Sequence, residues 1–327
     1  MSNTTNEKFI ADHLVGGQDR VPRLGYGAMQ LAGPGVIGLP DDVTGAIEVL
    51  RGAVDQGVRF FDTANAYGPR TVNQIIGRAL SPFADDVVIG NKVGAWRDPA
   101  GGWTLDQRPE TLRAQVEDAL LDMRTDVSTL TYLRLRGDSQ APGDDAPPED
   151  VPLEEALGAL VQLRDEGKIR HIGLSGASPE MLERAQQVTP IAAVQNRFNL
   201  VDRSGIEVLQ SCERQGIAFV PFWPLAFGYL GELETLTRPA RRLGASTSTV
   251  ALAWLLRRSP VMVPIPGTKS LAHLRDNIGA AEVATQLTDD EVAALTAVEN
   301  EESATLSKMP ALMTAALVRA GVRPSTD

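Results

Sequence analysis

The feature of this sequence that most restricts its fold is an eightfold alternation of short apolar segments with longer amphipathic ones. The apolar segments contain few polar interruptions, as strands do when a parallel sheet buries both of their faces. The amphipathic segments have helical spacing, and helices are predicted from Asp42 onward and over residues 109–123, 153–166 and 249–257. The eight predicted strands are Leu24 to Gly27, Val58 to Asp62, Val87 to Lys92, Leu130 to Arg134, Ile169 to Ser175, Ile191 to Asn196, Ile217 to Phe222 and Val261 to Ile265.

Eight strands, each followed by a helix, predict a (β/α)8 TIM barrel in a single α/β domain over residues 1–327. An open doubly wound sheet is the alternative, but it should carry a phosphate-binding glycine fingerprint after its first strand. Gly25 and Gly27 lack the third glycine of that fingerprint, so the barrel is favoured. We expect residues 1–21 to form an N-terminal hairpin or an irregular segment. Residues 281–327 are expected to form a C-terminal extension with helices at 289–298 and 310–320.

Polar and aromatic residues gather at the predicted carboxyl ends of the strands. In a barrel these ends surround one mouth, which is where active sites lie. Two long loops, residues 94–107 and 137–150, leave from the same end. The residues at the strand ends are Asp62, Lys92, Arg134, Ser175, Gln195, Asn196, Phe222 and Trp223.

Charge and cysteine content limit the class of partner. The formal net charge of -11 argues against nucleic acid or an anionic membrane as the main partner. No apolar run approaches the roughly 20 residues that span a membrane, and the first residues lack the apolar core of a signal peptide. The single cysteine, Cys212, cannot form an internal disulfide and suits a reducing compartment. We therefore expect a cytoplasmic protein that acts on a small molecule, with an oligomeric state that the sequence does not predict.

Three of the strand-end residues could transfer a proton. Tyr67 follows the second strand closely enough to share its end with Asp62, and Lys92 ends the next strand. A free tyrosine has a pKa of about 10, and a nearby ammonium stabilises its phenolate form. Asp62 could hold Lys92 in place, so that Tyr67 acts as a general acid toward a carbonyl oxygen. Two alternatives remain open: an ion pair that only bridges strands, and a Lys92 that forms a Schiff base.

Several short motifs, in order and spacing across nearly the whole chain, resemble the aldo-keto reductase family. They are Phe61-Asp62-Thr63-Ala64 through Tyr67-Gly68, Asn91-Lys92-Val93, Gly173-Leu174-Ser175, Val194-Gln195-Asn196 and Pro266-Gly267-Thr268-Lys269. The segments over residues 23–36, 73–76 and 251–256 are similar to the bacterial branch that contains a pyridoxal reductase. The resemblance implies a (β/α)8 barrel and NADPH-dependent reduction of an aldehyde or ketone, with NADH less expected and with neither metal nor flavin.

The resemblance also assigns catalytic places to Asp62, Tyr67 and Lys92. The fourth place, usually a histidine, falls on Arg134 in this sequence. A neutral histidine donates one hydrogen bond, whereas arginine is permanently charged and offers a fork of donors. Arg134 is therefore expected to stabilise an alkoxide or to anchor the substrate, unless it is a structural arginine paired with an acid at the rim.

The resemblance implies further binding residues. Ser175, Gln195 and Asn196 are expected at the nicotinamide carboxamide, Phe222 against the nicotinamide ring, and Lys269 at the 2′-phosphate of NADPH. The full set of predicted cofactor-binding residues is Gly27, Ala28, Met29, Asp62, Ser175, Gln195, Phe222, Trp223, Pro224, Leu225, Gly267, Thr268, Lys269, His273 and Asn277. The predicted substrate pocket contains Gln30, Leu31, Tyr67, Trp96, Trp103, Arg134 and Phe227.

The sequence leaves several functions open. Reduction of pyridoxal to pyridoxine is one specific expectation, and reduction of another ketone or sugar in secondary metabolism or detoxification is the alternative within the same chemistry. A barrel that binds NADPH as a sensor with little turnover is a different class, which the arginine at position 134 keeps open.

Overall fold

The structure is a computed structural model that describes residues 11–97, 102–135, 151–226, 228, 230 and 233–301. In chain order its strands are β1 His13–Val15, β2 Asp19–Val21, β3 Tyr26–Gly27, β4 Phe60–Ala64, β5 Val88–Val93, β6 Ala95–Arg97, β7 Trp103–Leu105, β8 Ser128–Arg134, β9 Ile169–Ser175, β10 Ala193–Arg197 and β11 Ala218–Phe222. Its α-helices are α1 Val43–Asp55, α2 Thr71–Leu80, α3 Pro109–Met123, α4 Leu153–Asp165, α5 Pro179–Val188, α6 Ile206–Gln215, α7 Glu234–Leu243, α8 Thr247–Arg258, α9 Leu271–Ile278, α10 Ala280–Gln286 and α11 Asp289–Glu301.

The strands β3, β4, β5, β8, β9, β10 and β11 form one curled parallel sheet in that order. An eighth segment, residues 261–266, joins its two edges. The Gly25 amide donates to the Pro264 carbonyl at 2.9 Å, and the Val263 amide donates to the Phe219 carbonyl at 2.8 Å. Two backbone hydrogen bonds join the segment to each edge, and because its two prolines have no N–H group it does not form a regular strand. The predicted fold class is confirmed, with an irregular eighth strand.

The interior of the barrel is closed at the amino ends of the strands by the hairpin β1–β2. Val15 and Val21 of the hairpin are fully buried and pack with Val88 and Leu130 from the barrel strands. The hairpin is also tied to β9, because Asp19 Oδ2 lies 2.7 Å from His171 Nε2. The remaining open end is the one with the strand carboxyl ends. The predicted helix over 310–320 and the loop over 137–150 lie outside the described residues.

The last helix of the described residues, α11, packs against the outside of the barrel. The Trp254 indole of α8 donates to Thr296 Oγ1 of α11 at 3.0 Å, and Arg257 pairs with Asp289 at 2.7 Å. Among the described residues, no helix combines the length and the apolar character needed to cross a membrane. Cys212 lies buried in α6, where burial and the neighbouring Glu213 carboxylate raise the pKa of its thiol to about 12.

Closure of the barrel depends on the buried guanidinium of Arg23. Arg23 is 3% exposed and donates to the carbonyls of Leu256, Ser259 and Met262 at 2.7, 2.6 and 3.0 Å. We expect Arg23→Met to lower the free energy of unfolding by about 3 kcal/mol, because the buried carbonyls lose charged donors. Arg20→Met is the matched control, since Arg20 is 70% exposed, and its effect should stay within about 0.5 kcal/mol. Urea unfolding of both variants checks this, and equal stabilities would contradict it.

His13 makes the hairpin sensitive to acid. Burial, with a smaller effect of the nearby Arg23 charge, lowers the pKa of His13 to about 4. An unfolded histidine titrates near 6.5, so between these pH values the unfolded chain binds a proton that the folded chain does not. The contribution of His13 to the free energy of unfolding should therefore fall as the pH drops from about 6.5 to 4 and level off below that range.

His13→Gln isolates this effect, because glutamine does not titrate. Between pH 7 and pH 4.5 we expect the wild-type chain to lose about 2 kcal/mol more than the variant. Urea unfolding at the two pH values measures the difference. Identical pH dependence in both chains would show that His13 does not contribute.

Candidate active site

The centre of the open mouth is a buried ion pair between Asp62 and Lys92. The Lys92 Nζ lies 2.7 and 2.6 Å from the two carboxylate oxygens of Asp62 and 3.0 Å from the Thr63 carbonyl. An ammonium has three hydrogens, so these oxygens account for all of them. Asp62 has a further partner, because the Gln195 amide donates to Asp62 Oδ2 at 2.6 Å. Both residues are 3% exposed, which places the pair inside the barrel.

Tyr67 lies beside this pair, as the sequence predicts. Its ring centroid is 5.3 Å from Lys92 Nζ, and the residue is 5% exposed. The loop turns sharply after it, because Gly68 has φ +94° and a Cβ there would lie 1.7 Å from Thr71 Oγ1. Only glycine fits this turn. The structure therefore brings the predicted acid, phenol and ammonium together at the end of β4 and β5.

A network of buried asparagines fixes the loop that carries Tyr67. Asn91 Nδ2 donates to Asn65 Oδ1 at 2.8 Å, and Asn73 Nδ2 donates to Asn91 Oδ1 at 3.2 Å. Thr63 Oγ1 donates to Asn73 Oδ1 at 2.8 Å, which connects β4 to α2. Asn65 also donates to the Gln115 carbonyl at 2.7 Å. These bonds link the residues on either side of Tyr67 and Lys92 to two strands and two helices.

Tyr132, which was not among the predicted site residues, fills the barrel beneath the ion pair. Its ring centroid lies 5.9 Å from Lys92 Nζ, and the residue is fully buried. Glycines make room for the ring: a Cβ on Gly90 would lie 2.9 Å from it, and a Cβ on Gly173 2.7 Å. Burial, reinforced by the Asp62 carboxylate, raises the pKa of Tyr132 well above its usual value. Tyr132 therefore stays neutral. Its place within the predicted strand over residues 130–134 was the sequence signal that could have identified it as a residue of the barrel interior.

Arg134 lies at the end of β8 and contacts the predicted pocket residue Trp103. The Arg134 guanidinium carbon is 4.8 Å from the centroid of the Trp103 ring, and that ring meets Tyr67 edge-on at 6.4 Å. A second guanidinium, Arg97, is 4.5 Å from the same ring and was not predicted. Arg97 and Trp103 are cross-strand partners in the hairpin β6–β7, whereas Trp96 on the same hairpin is 42% exposed.

The predicted residues after the first strand divide between core and surface. Gly27 approaches the eighth segment so closely that a Cβ on it would lie 2.5 Å from the Ile265 carbonyl oxygen. Residues Ala28–Leu31 form a 3-10 helix in which Ala28 and Leu31 are buried. Met29 is half-buried and Gln30 is exposed.

The predicted carboxamide-binding residues have several protein partners. Ser175 is 2% exposed at the end of β9, and Gln195 donates to Asp62 as described above. Both ends of the Asn196 amide bind the backbone of Ala177, at 3.0 and 2.7 Å. Asn196 thus holds the loop after β9.

At the end of β11, Phe222 and Trp223 are half-buried and meet edge-on at 5.2 Å. Trp223 has φ +54°, and its ring is covered by the Arg197 guanidinium at 4.9 Å. Pro224 is buried and Leu225 half-buried. The predicted pocket residue Phe227 lies outside the described residues.

The predicted phosphate-binding segment precedes α9. Thr268 is buried and its hydroxyl accepts the Ser270 amide at 3.0 Å, while Lys269 is exposed. The Ser270 hydroxyl caps α9 by accepting the amides of residues 272 and 273 at 3.2 and 3.4 Å. Both amides therefore already have a partner within the protein. For binding a phosphate, the positive side chains of this segment then matter more than the amino end of α9. The remaining predicted residues of this segment are Gly267, half-buried, His273, exposed, and Asn277, buried.

No histidine of the described residues lies in the catalytic cluster. His171 contacts Asp19 at the opposite end of the barrel, His13 belongs to the hairpin β1–β2, and His273 is in α9. Within the described part of the chain, no cluster of three or more His, Cys, Asp or Glu side chains could hold a metal ion.

The arrangement agrees with the comparison to known families. Residues 23–300 match the model of the aldo/keto reductase family. The chain belongs to the aldo/keto reductase family, which makes it an NAD(P)H-dependent oxidoreductase, as predicted.

Individual relatives support this membership. The chain is 41% identical to pyridoxine 4-dehydrogenase of Escherichia coli strain K12 over 268 residues, which cover 82% of this chain and 92% of the relative. It is 37% identical to an uncharacterized oxidoreductase of Schizosaccharomyces pombe over 266 residues, 80% of this chain and 82% of that one. Its fold is similar to the crystal structure of a Klebsiella pneumoniae aldo-keto reductase in complex with NADPH, with a TM-score of 0.73, 25% identity and coverage of 88% and 95%.

Asn73→Leu tests whether the asparagine network positions Tyr67. We expect kcat to fall by about ten- to a hundredfold, because the loop loses its fixed geometry, and the free energy of unfolding to fall by about 2 kcal/mol. The control is Gln74→Leu in the same helix, since Gln74 is exposed and its side-chain amide donates to Asp122 at 3.2 Å. Steady-state kinetics and urea unfolding measure both effects. Equal losses of kcat in the two variants would show that the network is only structural.

Proposed function

We propose that this chain is an NADPH-dependent carbonyl reductase in which Tyr67 gives the proton to the substrate oxygen. The observation that carries the proposal is the Lys92 ammonium, held by Asp62 and lying 5.3 Å from the ring of Tyr67. A positive charge in this place stabilises the phenolate that remains after Tyr67 has given up its proton. Asp62 contributes by fixing the ammonium, and Gln195 contributes by fixing Asp62.

The residues at the mouth fit NADPH. The half-buried ring of Phe222 offers an apolar face for the nicotinamide, and the exposed Lys269 offers a positive charge for the 2′-phosphate. Gly27 and Gly267 let the first and last strands approach closely, since a Cβ on Gly267 would lie 2.8 Å from the Gly27 carbonyl oxygen. The similar Klebsiella pneumoniae structure contains NADPH. We therefore propose NADPH over NADH.

NADPH, when bound, supplies the hydride. The protein's own residues orient the carbonyl and manage the charge that develops on its oxygen. Tyr67 donates a hydrogen bond and then the proton, while the fixed charge of Arg134 lowers the energy of the developing alkoxide. The buried surroundings strengthen both interactions, because water does not screen them.

The structure argues against Schiff-base chemistry at Lys92. A nucleophilic amine needs a free lone pair, so Lys92 would first have to lose a proton and its bond to Asp62 or Thr63. In the structure the Lys92 nitrogen instead lies 2.6 to 3.0 Å from three oxygens, all of which it binds as a donor. Borohydride in the presence of an aldehyde should accordingly trap no adduct on Lys92.

Pyridoxal is the substrate that we propose first, on the basis of the 41% identity to the Escherichia coli pyridoxine 4-dehydrogenase. A panel of aldehydes and ketones that includes pyridoxal, with NADPH and NADH side by side, tests substrate and cofactor together. Faster NADPH oxidation with one or more carbonyl compounds is the expected result. Tight NADPH binding without turnover on any of them would favour the sensor function.

A cytoplasmic location remains a proposal from the sequence.

Tyr67→Phe removes only the hydroxyl that we assign as proton donor. We expect kcat to fall by about a thousandfold, with an NADPH dissociation constant within about threefold of the wild-type value. Steady-state kinetics and fluorescence titration with NADPH check the two parts. A variant that keeps wild-type kcat would overturn the role of Tyr67, and a variant that loses NADPH binding would show that Tyr67 belongs to the cofactor site.

A further inference from the structure

The hydroxyl of Tyr132 is a buried polar group without a hydrogen bond of its own. Tyr132 pairs with Lys92 in the register of β8 and β5, and it is fully buried. Among the described residues, its hydroxyl meets no partner with hydrogen-bond geometry. A buried hydroxyl without an acceptor lowers the stability of a fold, and native proteins keep few such groups.

The ring of Tyr132 packs directly against the catalytic ion pair. It lies between Gly90 of β5 and Gly173 of β9, whose Cβ atoms, if present, would come within 2.9 and 2.7 Å of it. The ring centroid is 5.9 Å from Lys92 Nζ, and the same nitrogen lies 2.6 Å from an oxygen of Asp62. The phenol therefore occupies the space directly next to the two buried charges.

The electrostatics of Tyr132 place its hydroxyl beside Asp62 and Gln195. Burial is the main cause that raises the pKa of Tyr132 well above its usual value; the Asp62 carboxylate adds to the rise and the Gln195 amide opposes it. A carboxylate destabilises a nearby phenolate and an amide donor stabilises it, so both groups lie close to the phenol oxygen. Gln195 also donates to Asp62 at 2.6 Å. The Asp62 carboxylate is thus the charged acceptor beside the hydroxyl of Tyr132.

Lys92 has no hydrogen left for the phenolate that forms when Tyr67 gives up its proton. Its nitrogen donates to both oxygens of Asp62 and to the Thr63 carbonyl, at 2.6 to 3.0 Å. An ammonium has three hydrogens, so a direct bond to the Tyr67 oxygen requires Lys92 to release one of these acceptors. If it releases a carboxylate oxygen, Asp62 loses a charged donor in a buried place. That loss is costly unless another donor replaces it.

We propose that Tyr132 is a positioning residue of the proton transfer, whose hydroxyl donates to Asp62 while Lys92 turns toward the phenolate of Tyr67. No proton changes its owner in this exchange of hydrogen bonds, because Lys92 remains an ammonium and Tyr132 a neutral phenol. The exchange stabilises the phenolate at the moment when its charge develops. The inference rests on the proposed carbonyl reductase function and adds Tyr132 to the residues that serve it.

Tyr132→Phe tests the proposal, because it removes the hydroxyl and keeps the ring. Oxidation by NADP+ of pyridoxine, or of the alcohol of the best aldehyde, needs Tyr67 as a base, so its rate rises with pH as the phenolate forms. We expect the midpoint of this rise to move up by about one pH unit, with about tenfold slower oxidation well below the midpoint. Above both midpoints the two rates should converge. An unchanged midpoint would overturn the proposal.

Stability distinguishes this role from an ordinary structural bond. Because the hydroxyl has no partner in the resting protein, the urea midpoint of Tyr132→Phe should equal or exceed that of the wild type. Thr131→Val is the matched control, since it removes the adjacent buried hydroxyl of β8, which lies 2.9 Å from Ser128 Oγ. The control should lower the urea midpoint and keep the wild-type pH profile. A Tyr132→Phe protein that loses as much stability as the control, or does not fold, would contradict the proposal.

A spectroscopic titration separates this inference from the proposed function. The ultraviolet absorbance of tyrosinate, taken as the difference between the wild type and Tyr67→Phe, reports the ionisation of Tyr67 without turnover. When Tyr132→Phe is introduced into both proteins, the midpoint of this difference should rise by about one pH unit. Such a shift without reduction of any aldehyde would sink the reductase function and keep the role of Tyr132. Reduction of aldehydes with an unshifted midpoint would keep the function and overturn the role of Tyr132.

Discussion

The buried pair of Asp62 and Lys92 is the interaction on which the rest of the site depends. A lysine ammonium can remain charged inside a barrel only if oxygens replace its lost water, and here one carboxylate and one carbonyl do so. This requirement explains why Gln195 is directed at Asp62 and why a neutral Tyr132 lies below the pair. It also explains the proximity of Tyr67, because the ring of a phenol can lie against a fixed cation.

The architecture brings these groups together by closing the sheet. Asp62, Lys92 and Gln195 come from three strands, and only a curled parallel sheet places their ends around one point. Closure in turn relies on residues far from the mouth, above all Arg23, whose guanidinium binds three carbonyls near the eighth segment. The hairpin at the other end fills the barrel, so the functional groups gather at a single opening. Stability and chemistry thus occupy opposite ends of the molecule, as is usual for barrels.

Sequence patterns predicted the strands and helices, which repeat along the chain. They missed the features that depend on contacts between residues far apart in the sequence. Helix α3 was predicted with the observed bounds. Pro109 suits its first helical position, and in the structure Arg124 ends the helix in a left-handed conformation. The eighth strand is irregular because its prolines cannot donate, a consequence visible only beside its neighbours. Arg97 looked like an ordinary loop residue, since only the pairing of β6 with β7 places it on Trp103. The partners of Asn196 and Ser270 likewise became clear only from the fold.

The central claim is that the Asp62–Lys92 pair serves the chemistry and does more than join two strands. The double variant Asp62→Asn/Lys92→Met tests it most directly, because it removes both charges and leaves no unpaired carboxylate in the core. Single-turnover oxidation of bound NADPH by an aldehyde should slow by about a thousandfold, while the unfolding midpoint and the NADPH affinity stay close to wild type. A double variant that oxidises NADPH at the wild-type rate would contradict the account and reduce the pair to a structural bridge.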